Sequence, residues 1–501
     1  MMPALPFSLR LAIVLVAPFL AAVPLHAQER PNLVLFLVDD MGWCDTSVVF
    51  PPEPGPRHRL LRTPAMERLA REGLVFTQGY ASSPVCSPTR TAILTGRNPA
   101  RTGITNWIPG RGNHGPEDHR LLVSPWRRDG LGPGDRTLPR LLRELGYQTA
   151  HVGKAHFARE GTPGADPRLL GFDHVVAGNH LGGPGSHLPP YGAGGRHAVP
   201  DLEEHAEAGR FLTDALTEEA LDLVRGMEAE GRPWFLELSH YALHAPIEAD
   251  PARIEAWKGK LGSPALDAYA SMIQGVDDSL GRLLDLLDEL GAAERTLVVF
   301  TSDNGGLTAH SGPPTSNAPL RSGKGSWAEG GIRVPWIVRW TGVVSAGRRT
   351  DVPVISEDLF PTLLRAAGAS VSAPWFRDLD GVDLGPVLRG AESLERPLPL
   401  VWHYPHYWGW PALRRADPAI APFSALRLGD WKIVWLYEEE RALLFDLAAD
   451  LGETRDLAAE RPELRDRLLR ALHDRLAPLR VQTPRSRENG LNLGLPRVRG
   501  E

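Results

Sequence analysis

A short segment around Cys86 combines residue types that could carry out nucleophilic chemistry. The chain has two cysteines, Cys44 and Cys86, and Cys86 begins the run CSPTRTAILTG, which ends at Gly96. A helix starting here would place Cys86 in its first turn, where backbone N–H groups bind an anion. Arg90, one turn later, would hold an oxyanion at Cys86. The alternatives are a buried free thiol, which is also our reading of Cys44, or a disulfide between the two cysteines.

Two pairs of oxygen-bearing side chains follow predicted strands and could bind a metal ion. Asp39-Asp40 follows the apolar run 32–38, and Asp303-Asn304 follows the run 296–301. If these strands are neighbours, their carboxyl ends bring the pairs together in a cage of oxygen ligands, which suits Ca²⁺. Mg²⁺ is the alternative ion. Each pair alone is also typical of a helix cap or a turn.

The segment 84–96 resembles the signature of the sulfatase family, whose core is Cys-x-Pro-x-Arg, and the resemblance extends over nearly the whole mature chain. It implies an alkaline-phosphatase-like fold and oxidation of Cys86 to formylglycine by a formylglycine-generating enzyme. A hydrated aldehyde has two hydroxyls on one carbon. One attacks sulfur and expels the alcohol, and the other collapses to the aldehyde and expels sulfate, so that one difficult step becomes two easier ones.

Two histidine-containing segments resemble further sulfatase motifs. Lys154 and His156, in the sequence GKAH, match the second sulfatase signature. The match implies that Lys154 binds a sulfate oxygen and that His156 binds the formylglycine hydroxyl. His244, two residues before Pro246, is implied to be the general acid that protonates the leaving alcohol. A zinc site on a helix is disfavoured here, because the proline interrupts a helix.

The stretch 317–335 resembles the family segment that carries a last catalytic lysine. It implies that Lys324 binds sulfate beside Lys154, whereas Glu329 and Arg333 brace the loop. Cations and imidazoles around one anion form a preorganised electrostatic site. The resemblance also implies one bound Ca²⁺ and assigns its ligands, which are Asp39, Asp40, Cys86, Asp303 and Asn304.

Aromatic and imidazole side chains indicate where the rest of the substrate would bind. The family uses loops that here contain Trp107, His180, Ser186, His403 and His406, and His240 is a further candidate. Each of them alone is more often structural, and His240 fits a core histidine equally well. An aromatic, imidazole-rich rim suits a sugar through stacking and hydrogen bonding. We therefore expect a sulfated carbohydrate rather than a steroid or a lipid.

Apolar strand-like runs alternate with amphipathic helices along most of the chain. Strands are predicted at 32–38, 149–152, 234–238 and 296–301, and helices at 63–73, 137–145, 217–230 and 267–290. This alternation predicts an α/β fold with a large, mostly parallel central sheet and helices on both faces. Long segments rich in Gly, Pro and His, at 109–135 and 160–210, are predicted to be ordered insertions around the site.

Changes in composition and hydrophobic pattern along the chain predict four segments. They are a cleavable signal peptide (1–27), a catalytic domain (28–390), a small C-terminal α+β subdomain (391–480) and a flexible tail (481–501). The first is indicated by Arg10, which precedes an apolar run that ends in small residues. The subdomain is predicted to contain short antiparallel strands within 424–436 and 443–447 and a helix at 463–476.

Composition and charge argue against several classes of protein. The 501 residues include 42% hydrophobic and 23% charged residues, which is ordinary for a globular protein. The net charge of -6 disfavours a nucleic-acid-binding protein, which usually has a basic surplus. The N-terminal apolar run is shorter than the ~20 residues that a membrane span needs. We therefore expect an exported protein, periplasmic or secreted, without stable membrane insertion.

Two other functions stay open at this stage. One is a phosphatase, phosphodiesterase or phosphonate hydrolase of the same superfamily. Alkaline phosphatases would use Ser or Thr and two zinc ions, whereas this chain offers a cysteine, two lysines and one oxygen-rich cage; phosphonate hydrolases can also carry formylglycine. The second is an exported carbohydrate-binding protein without turnover, and the intact catalytic set argues against it.

Overall fold

The structure, a computed structural model, describes Met1 and residues 30–52, 59–108, 128–308, 315–409 and 416–498. In these parts the strands are β1 (Asn32–Val38), β2 (Leu74–Phe76), β3 (Gly79–Tyr80), β4 (Gln148–Gly153), β5 (His174–Val176), β6 (Trp234–Ser239), β7 (Thr296–Ser302), β8 (Trp336–Trp340), β9 (Arg348–Thr350), β10 (Val354–Ile355), β11 (Leu400–Tyr404), β12 (Phe423–Leu428), β13 (Trp431–Leu436) and β14 (Arg441–Asp446). The α-helices are α1 (Pro64–Glu72), α2 (Cys86–Thr95), α3 (Pro99–Thr102), α4 (Leu138–Glu144), α5 (Glu203–Glu207), α6 (Leu212–Ala229), α7 (Pro264–Glu289), α8 (Glu329–Ile332), α9 (Leu359–Ala366), α10 (Gly385–Leu388) and α11 (Pro462–Leu476).

An eight-stranded sheet in the order β5-β4-β6-β1-β7-β8-β2-β9 forms the centre of the molecule. Its strand pairs are parallel, except that β8 runs antiparallel to both of its neighbours. The predicted mostly parallel sheet is therefore confirmed. The antiparallel β8 was not predicted from the sequence, because strand direction depends on the path of the chain between strands rather than on local pattern.

Helices cover both faces of this sheet, as predicted. Alternate side chains of a strand point to opposite faces, so β1 contributes to two separate cores. The first core also takes side chains from α1, α6 and α7, and the second takes side chains from α2, α4 and α9. The β1 side chains in the first core are Val34, Phe36 and Val38, and those in the second are Leu33, Leu35 and Leu37.

A four-stranded antiparallel sheet, β11-β12-β13-β14, forms the predicted C-terminal α+β unit. The predicted run 424–436 is a hairpin of β12 and β13, which turns at Gly429 with a φ of 60°. One face of this sheet packs against α11. The other face shares a core with the main body, in which Trp402 and Phe423 lie with Tyr80 and Trp327. The unit is therefore fused to the catalytic part through a common apolar interface.

The segment 481–498 differs from the predicted flexible tail because it makes specific contacts with the C-terminal unit. The main-chain oxygen of Gln482 accepts a hydrogen bond from His403 Nε2 (2.8 Å), and that of Pro496 accepts one from His473 Nδ1 (2.9 Å). Its apolar side chains also pack on the core around α11. They are too widely spaced to give a helix or strand pattern, which explains why the sequence did not reveal this contact.

The predicted elements of the catalytic domain are found with small shifts in their ends. The helix predicted at 217–230 begins earlier, at Leu212, and the insertion 160–210 contains β5 and α5. Most of the predicted signal peptide and residues 109–127 lie outside the described residues. Within the part of the chain that the structure describes, no helix is long and apolar enough to cross a bilayer.

Candidate active site

Four neighbouring parallel strands end at one edge of the sheet, and each is followed by a predicted site residue or its close neighbour. In the order β4, β6, β1, β7, the strand ends lead into Lys154, His240, Asp39 and Asp303. Val38 at the end of β1 pairs with Ser302 at the end of β7. The two strands that carry the acidic pairs are thus adjacent, which is the condition that the predicted metal site required.

The acidic pairs form one buried cluster with Cys86. Single ligand atoms of Asp39, Cys86 and Asp303 all lie within 4.8 Å of one another. The backbone N–H of Asp40 donates to Asp303 Oδ1 (3.2 Å), and Asn304 Nδ2 donates to Asp40 Oδ1 (2.8 Å). Asp40 has a φ of 59°, a left-handed conformation that is unusual outside glycine. The sheet therefore gathers all five predicted metal ligands at one place.

Three cationic side chains face the three carboxylates. Lys154 Nζ lies 2.5 Å from Asp39 Oδ2. Lys324 Nζ lies 2.6 Å and 2.8 Å from the two carboxylate oxygens of Asp40, and Arg90 Nε lies 2.7 Å from Asp303 Oδ2. A buried charge is tolerated when it is paired and hydrogen-bonded, so the cluster is electrostatically balanced.

The pKa values of the acidic groups reflect the balance between burial and these cations. Burial, followed by repulsion from Asp303, raises the pKa of Asp39 well above its ordinary value. Burial alone would also raise the pKa of Asp40, but Lys324, His244 and Lys154 lower it far below that value. Burial likewise raises the pKa of the Cys86 thiol. A thiol that acts directly as a nucleophile needs the opposite shift.

Two buried acceptor oxygens in the cluster have no hydrogen-bond partner among the described residues. They are Asp39 Oδ1 and Asn304 Oδ1. An orphaned buried polar atom is costly, and a hard cation with oxygen ligands satisfies this need. The cluster therefore fits a divalent cation such as Ca²⁺. Both cysteines are buried thiols rather than a disulfide, which removes one of the alternatives left open by the sequence.

Cys86 is the first residue of α2, and every residue of that helix is buried. Val85 precedes the helix and gives no side-chain cap, so the first backbone N–H groups keep their capacity to bind an anion. Arg90, one turn further, donates through Nη1 to the Lys154 carbonyl (2.7 Å) and to Ser239 Oγ (2.6 Å). Sequence reasoning missed Ser239, although it immediately precedes the histidine-containing segment 240–246.

The two predicted catalytic histidines lie on the same side of the cluster. His156 donates through Nε2 to the Ile108 carbonyl, and its buried Nδ1 has no partner within the described segments. His244 places Nε2 4.0 Å from Asp40 Oδ2 and donates through Nδ1 to the Ala245 carbonyl (2.7 Å). Burial, together with Lys154, lowers the pKa of His156 well below its ordinary value. Burial, followed by repulsion from Lys324, lowers that of His244 to about 3.

Some of the predicted substrate-binding side chains lie in loops near this edge of the sheet. Trp107 is 40% exposed and follows Asn106, whose side chain accepts a hydrogen bond from Tyr404 (3.1 Å). His180 is partly exposed and belongs to the loop that passes His156, because the carbonyl of Asn179 accepts from the His156 backbone N–H (2.9 Å). These positions remain compatible with substrate contact.

The structure brings other predicted substrate-binding side chains into the interior or into protein contacts. His240 is fully buried, packs against Phe36 and bonds Ser279 Oγ (2.9 Å), so its side chain points into the core. His403 is buried in the C-terminal sheet and bonds Ser424 Oγ (2.7 Å). For both we therefore replace the expected substrate role with a structural one. Ser186 and His406 are also engaged, with Glu248 and Thr105 respectively.

Three glycines near the site allow close approach of backbone or aromatic rings. A Cβ on Gly182 would lie 2.7 Å from a ring atom of His156, and one on Gly183 would lie 2.6 Å from a ring atom of His244. Beside Lys324, a Cβ on Gly325 would lie 2.4 Å from the Trp408 ring. Gly182 and Gly183 belong to the insertion 160–210 that was expected to lie around the site, whereas their contacts with the histidine rings and the position of Trp408 were not predicted.

Comparison with known proteins places this arrangement in a known group. The sulfatase family model matches residues 31–369, and the model described as N-sulphoglucosamine sulphohydrolase, C-terminal, matches residues 324–482. N-acetylgalactosamine-6-sulfatase of Canis lupus familiaris is 33% identical over 80% of this chain and 76% of its own. Steryl-sulfatase of Mus musculus is 32% identical over 87% and 79%. The crystal structure of Ps i-CgsB in complex with k-i-k-neocarrahexaose has a TM-score of 0.73 and 27% identity, covering 89% of this chain and 93% of that one.

The sheet with its buried cluster at the strand ends thus has the alkaline-phosphatase-like fold, as predicted. The chain belongs to the sulfatase family. It is a sulfuric ester hydrolase, which confirms the enzyme class expected from the motifs around Cys86.

Proposed function

We propose that the protein hydrolyses a sulfate ester of a carbohydrate, using a formylglycine made from Cys86 and one Ca²⁺ ion. The observation that carries this proposal is the position of Cys86. It begins a buried helix, its sulfur lies in the same cluster as Asp39 and Asp303, and lysines hold the carboxylates around it. The residues that we propose as nucleophile, metal ligands and sulfate-binding cations are therefore concentrated at one point.

The charges of the site support recognition of an anionic ester. With every group ionised, the three carboxylates and the three cationic side chains, Arg90, Lys154 and Lys324, carry a formal net charge of zero. A bound divalent cation would leave the site positive, and a positive, buried site attracts an anion strongly. Lys154 pairs with Asp39 and Lys324 pairs with Asp40, so in our proposal the two lysines contact different sulfate oxygens.

The surroundings of Cys86 suit a modified nucleophile. In its hydrated form formylglycine supplies two hydroxyls on one carbon, one for attack on sulfur and one for release of sulfate. Arg90 Nη2 and His156 Nδ1 are both buried without hydrogen-bond partners among the described residues, and Arg90 Nη2 lies 4.0 Å from Asp39 Oδ1. In our proposal Arg90 stabilises negative charge at position 86, and His156 holds the second hydroxyl and removes its proton.

The metal would be held by Asp39, Asp40, Asp303, Asn304 and residue 86. When bound, Ca²⁺ polarises the sulfate and lowers the pKa of the nucleophile. Two lysines of this chain bind two of the same carboxylates, through the ion pairs of Lys154 with Asp39 and of Lys324 with Asp40. They thereby hold the carboxylate side chains in a fixed orientation for the metal.

His244 is proposed as the general acid. Its Nε2 faces the cluster, whereas its Nδ1 is occupied by a main-chain carbonyl. Burial, followed by repulsion from Lys324, lowers the pKa of this imidazole. An anionic ester bound against Lys324 offsets that repulsion and favours the protonated form. Proton transfer to the leaving oxygen then takes place with the substrate in position.

A carbohydrate is the substrate class that we favour. The exposed ring of Trp107 and the ring of Trp408 beside Lys324 offer apolar faces on which a sugar can stack. One relative is named for a sulfated N-acetylgalactosamine, and a structural relative was solved with a neocarrahexaose. The similar steryl-sulfatase makes a steroid the competing class.

Paired assays test the reaction. Purified enzyme with Ca²⁺ is given 4-nitrophenyl sulfate, the matching phosphate monoester and a phosphonate monoester. We expect the sulfate to be preferred by kcat/KM, and Cys86→Ala to abolish multiple turnover while leaving the folded structure intact. Preference for phosphate or phosphonate, or full turnover by Cys86→Ala, would contradict the proposal.

A substrate panel and the N-terminus test the remaining parts. Sulfated mono- and disaccharides and a steryl sulfate are compared, and a faster reaction with a sugar supports our choice. We also propose that residues 1–27 are removed on export to the periplasm or the medium, after action of a formylglycine-generating enzyme. Sequencing the N-terminus of the exported protein checks the cleavage.

A further inference from the structure

A buried imidazole outside the carboxylate cluster, that of His187, contacts the segment that carries His244. Its side chain is fully buried, and Nε2 donates to the main-chain carbonyl of His244 (2.9 Å). Burial lowers the pKa of His187, so the ring is neutral and Nε2 carries its single proton. The contact joins two segments that are 57 residues apart in the chain.

His187 is itself fixed on several sides. Its ring stacks on Phe211, with centroids 5.8 Å apart and planes at 20°. Its backbone N–H donates to Glu248 Oε2 (2.5 Å), and its carbonyl accepts from the N–H of Leu212 at the start of α6 (2.9 Å). A side chain held in this way can restrain the group to which it donates, because its own rotamers are locked.

The loop before His187 packs directly on the two catalytic histidine rings. Gly182 lies against His156 and Gly183 lies against His244, too close in both cases for a Cβ. The His244 ring is therefore restrained by Gly183 at its side and by its Nδ1 bond to Ala245, and its main chain is restrained by His187. These contacts leave Nε2 as the ring atom directed toward Asp40.

We propose that His187 is a positioning residue for proton transfer to the leaving group. It anchors the main chain of His244 so that the imidazole presents Nε2 to the leaving oxygen. This inference rests on the proposed function, in which His244 is the general acid. A small displacement of a catalytic group can cost a large factor in rate, so loss of one anchoring hydrogen bond is measurable in catalysis.

The dependence on the leaving group tests this proposal. The sugar sulfate that the panel identifies has a poor leaving group that needs a proton, whereas 4-nitrophenol leaves without one. His187→Phe keeps a ring for stacking but lacks the donor. We expect kcat on the sugar sulfate to fall on the order of tenfold, and kcat on 4-nitrophenyl sulfate to stay within about twofold.

Two amide variants test the same hydrogen bond in case the phenylalanine ring does not fit the buried site of His187. Glutamine places an N–H near the position of Nε2, whereas asparagine places it near Nδ1. We expect His187→Gln to retain most of the activity on the sugar sulfate and His187→Asn to lose it selectively. His473→Phe is the matched control. It removes another imidazole that donates to a main-chain carbonyl, in the C-terminal unit, and should leave both rates unchanged.

The outcomes separate this inference from the proposed function. His244→Ala should show the largest selective loss on the sugar sulfate. If His244→Ala slows both substrates equally, the assignment of the general acid is wrong and the role of His187 is lost with it. A second outcome would refute the role of His187 alone. In it, His244→Ala selectively slows hydrolysis of the sugar sulfate, but His187→Phe and His187→Asn either slow hydrolysis of both substrates equally or slow neither.

Discussion

Replacement of Lys324 by methionine should change two measured quantities in opposite directions. We expect kcat to fall, and the increase in Tm on addition of Ca²⁺ to become larger. Lys324 Nζ contacts both oxygens of Asp40, at 2.6 Å and 2.8 Å, and its side chain is only 5% exposed. Methionine has a similar length and no charge. Loss of one preorganised donor to the transition state costs a factor of about 10²–10³ in kcat, which corresponds to roughly 3–4 kcal/mol.

The same variant leaves Asp40 buried without its cation. Removal of one partner of a buried ion pair typically costs about 3–5 kcal/mol of stability. This cost applies to the metal-free protein, because a bound Ca²⁺ supplies a new positive partner for the carboxylate. We therefore expect a lower Tm than wild type in chelator, and a larger increase in Tm on addition of Ca²⁺.

Steady-state kinetics on 4-nitrophenyl sulfate and thermal unfolding with and without Ca²⁺ measure both effects. Lys258→Met is the matched control, because Lys258 is an exposed lysine whose side chain is 72% accessible. Its kcat should be unchanged, and its stability should stay within about 0.5 kcal/mol of wild type. A kcat for Lys324→Met within tenfold of wild type would refute the role of Lys324 at the sulfate. An increase in Tm with Ca²⁺ no larger than that of wild type would refute the proposed role of Lys324 as the cation that balances the buried Asp40 carboxylate.

Three further predictions concern the metal, the buried ion network and pH. Asp303→Asn should lower the Ca²⁺ content measured by elemental analysis, and full occupancy would contradict the cage. Lys432 Nζ bonds Glu329 (2.9 Å) and Glu453 (2.8 Å), and all three side chains are buried. Lys432→Met should therefore lower the free energy of unfolding, measured with urea, by about 3–5 kcal/mol. A decrease below about 1 kcal/mol would contradict this. Burial lowers the pKa of His403 to about 4, below the ordinary value. Because the unfolded chain binds the proton more readily, stability is retained at neutral pH and is lost as pH falls from about 6.5 to 4. His403→Gln should remove up to about 2 kcal/mol of the stability difference between pH 7 and pH 5, and an unchanged difference in urea unfolding would refute it.

The sequence predicted those parts of the fold whose pattern is local. Strand β1 is a continuous apolar run because both of its faces are buried, and its bounds were predicted without error. Strand β8 contains Arg339 between two tryptophans, so its pattern is weaker, and its antiparallel direction depends on distant segments. The contacts of residues 481–498 were not predicted, because their apolar side chains pack on a surface that only the folded subdomain provides.

The same distinction applies to the candidate site. Short motifs identified the residues that the strand ends bring together around Cys86. They assigned His244 as the general acid but left His240 open between a substrate role and a core role, because the turn of the chain after β6 decides which ring points into the core and which toward Asp40. Ser239 and His187 were missed, since each acts through a neighbour in space rather than through a motif.

The chemical state of residue 86 decides whether the proposed formylglycine mechanism operates. The protein is produced with and without a formylglycine-generating enzyme, and mass spectrometry of the peptide that contains residue 86 gives the fraction of aldehyde in each preparation. We predict that kcat for a sulfate ester rises in proportion to this fraction and extrapolates to zero for the unmodified thiol. Full activity in a preparation that contains only the Cys86 thiol would contradict a formylglycine nucleophile.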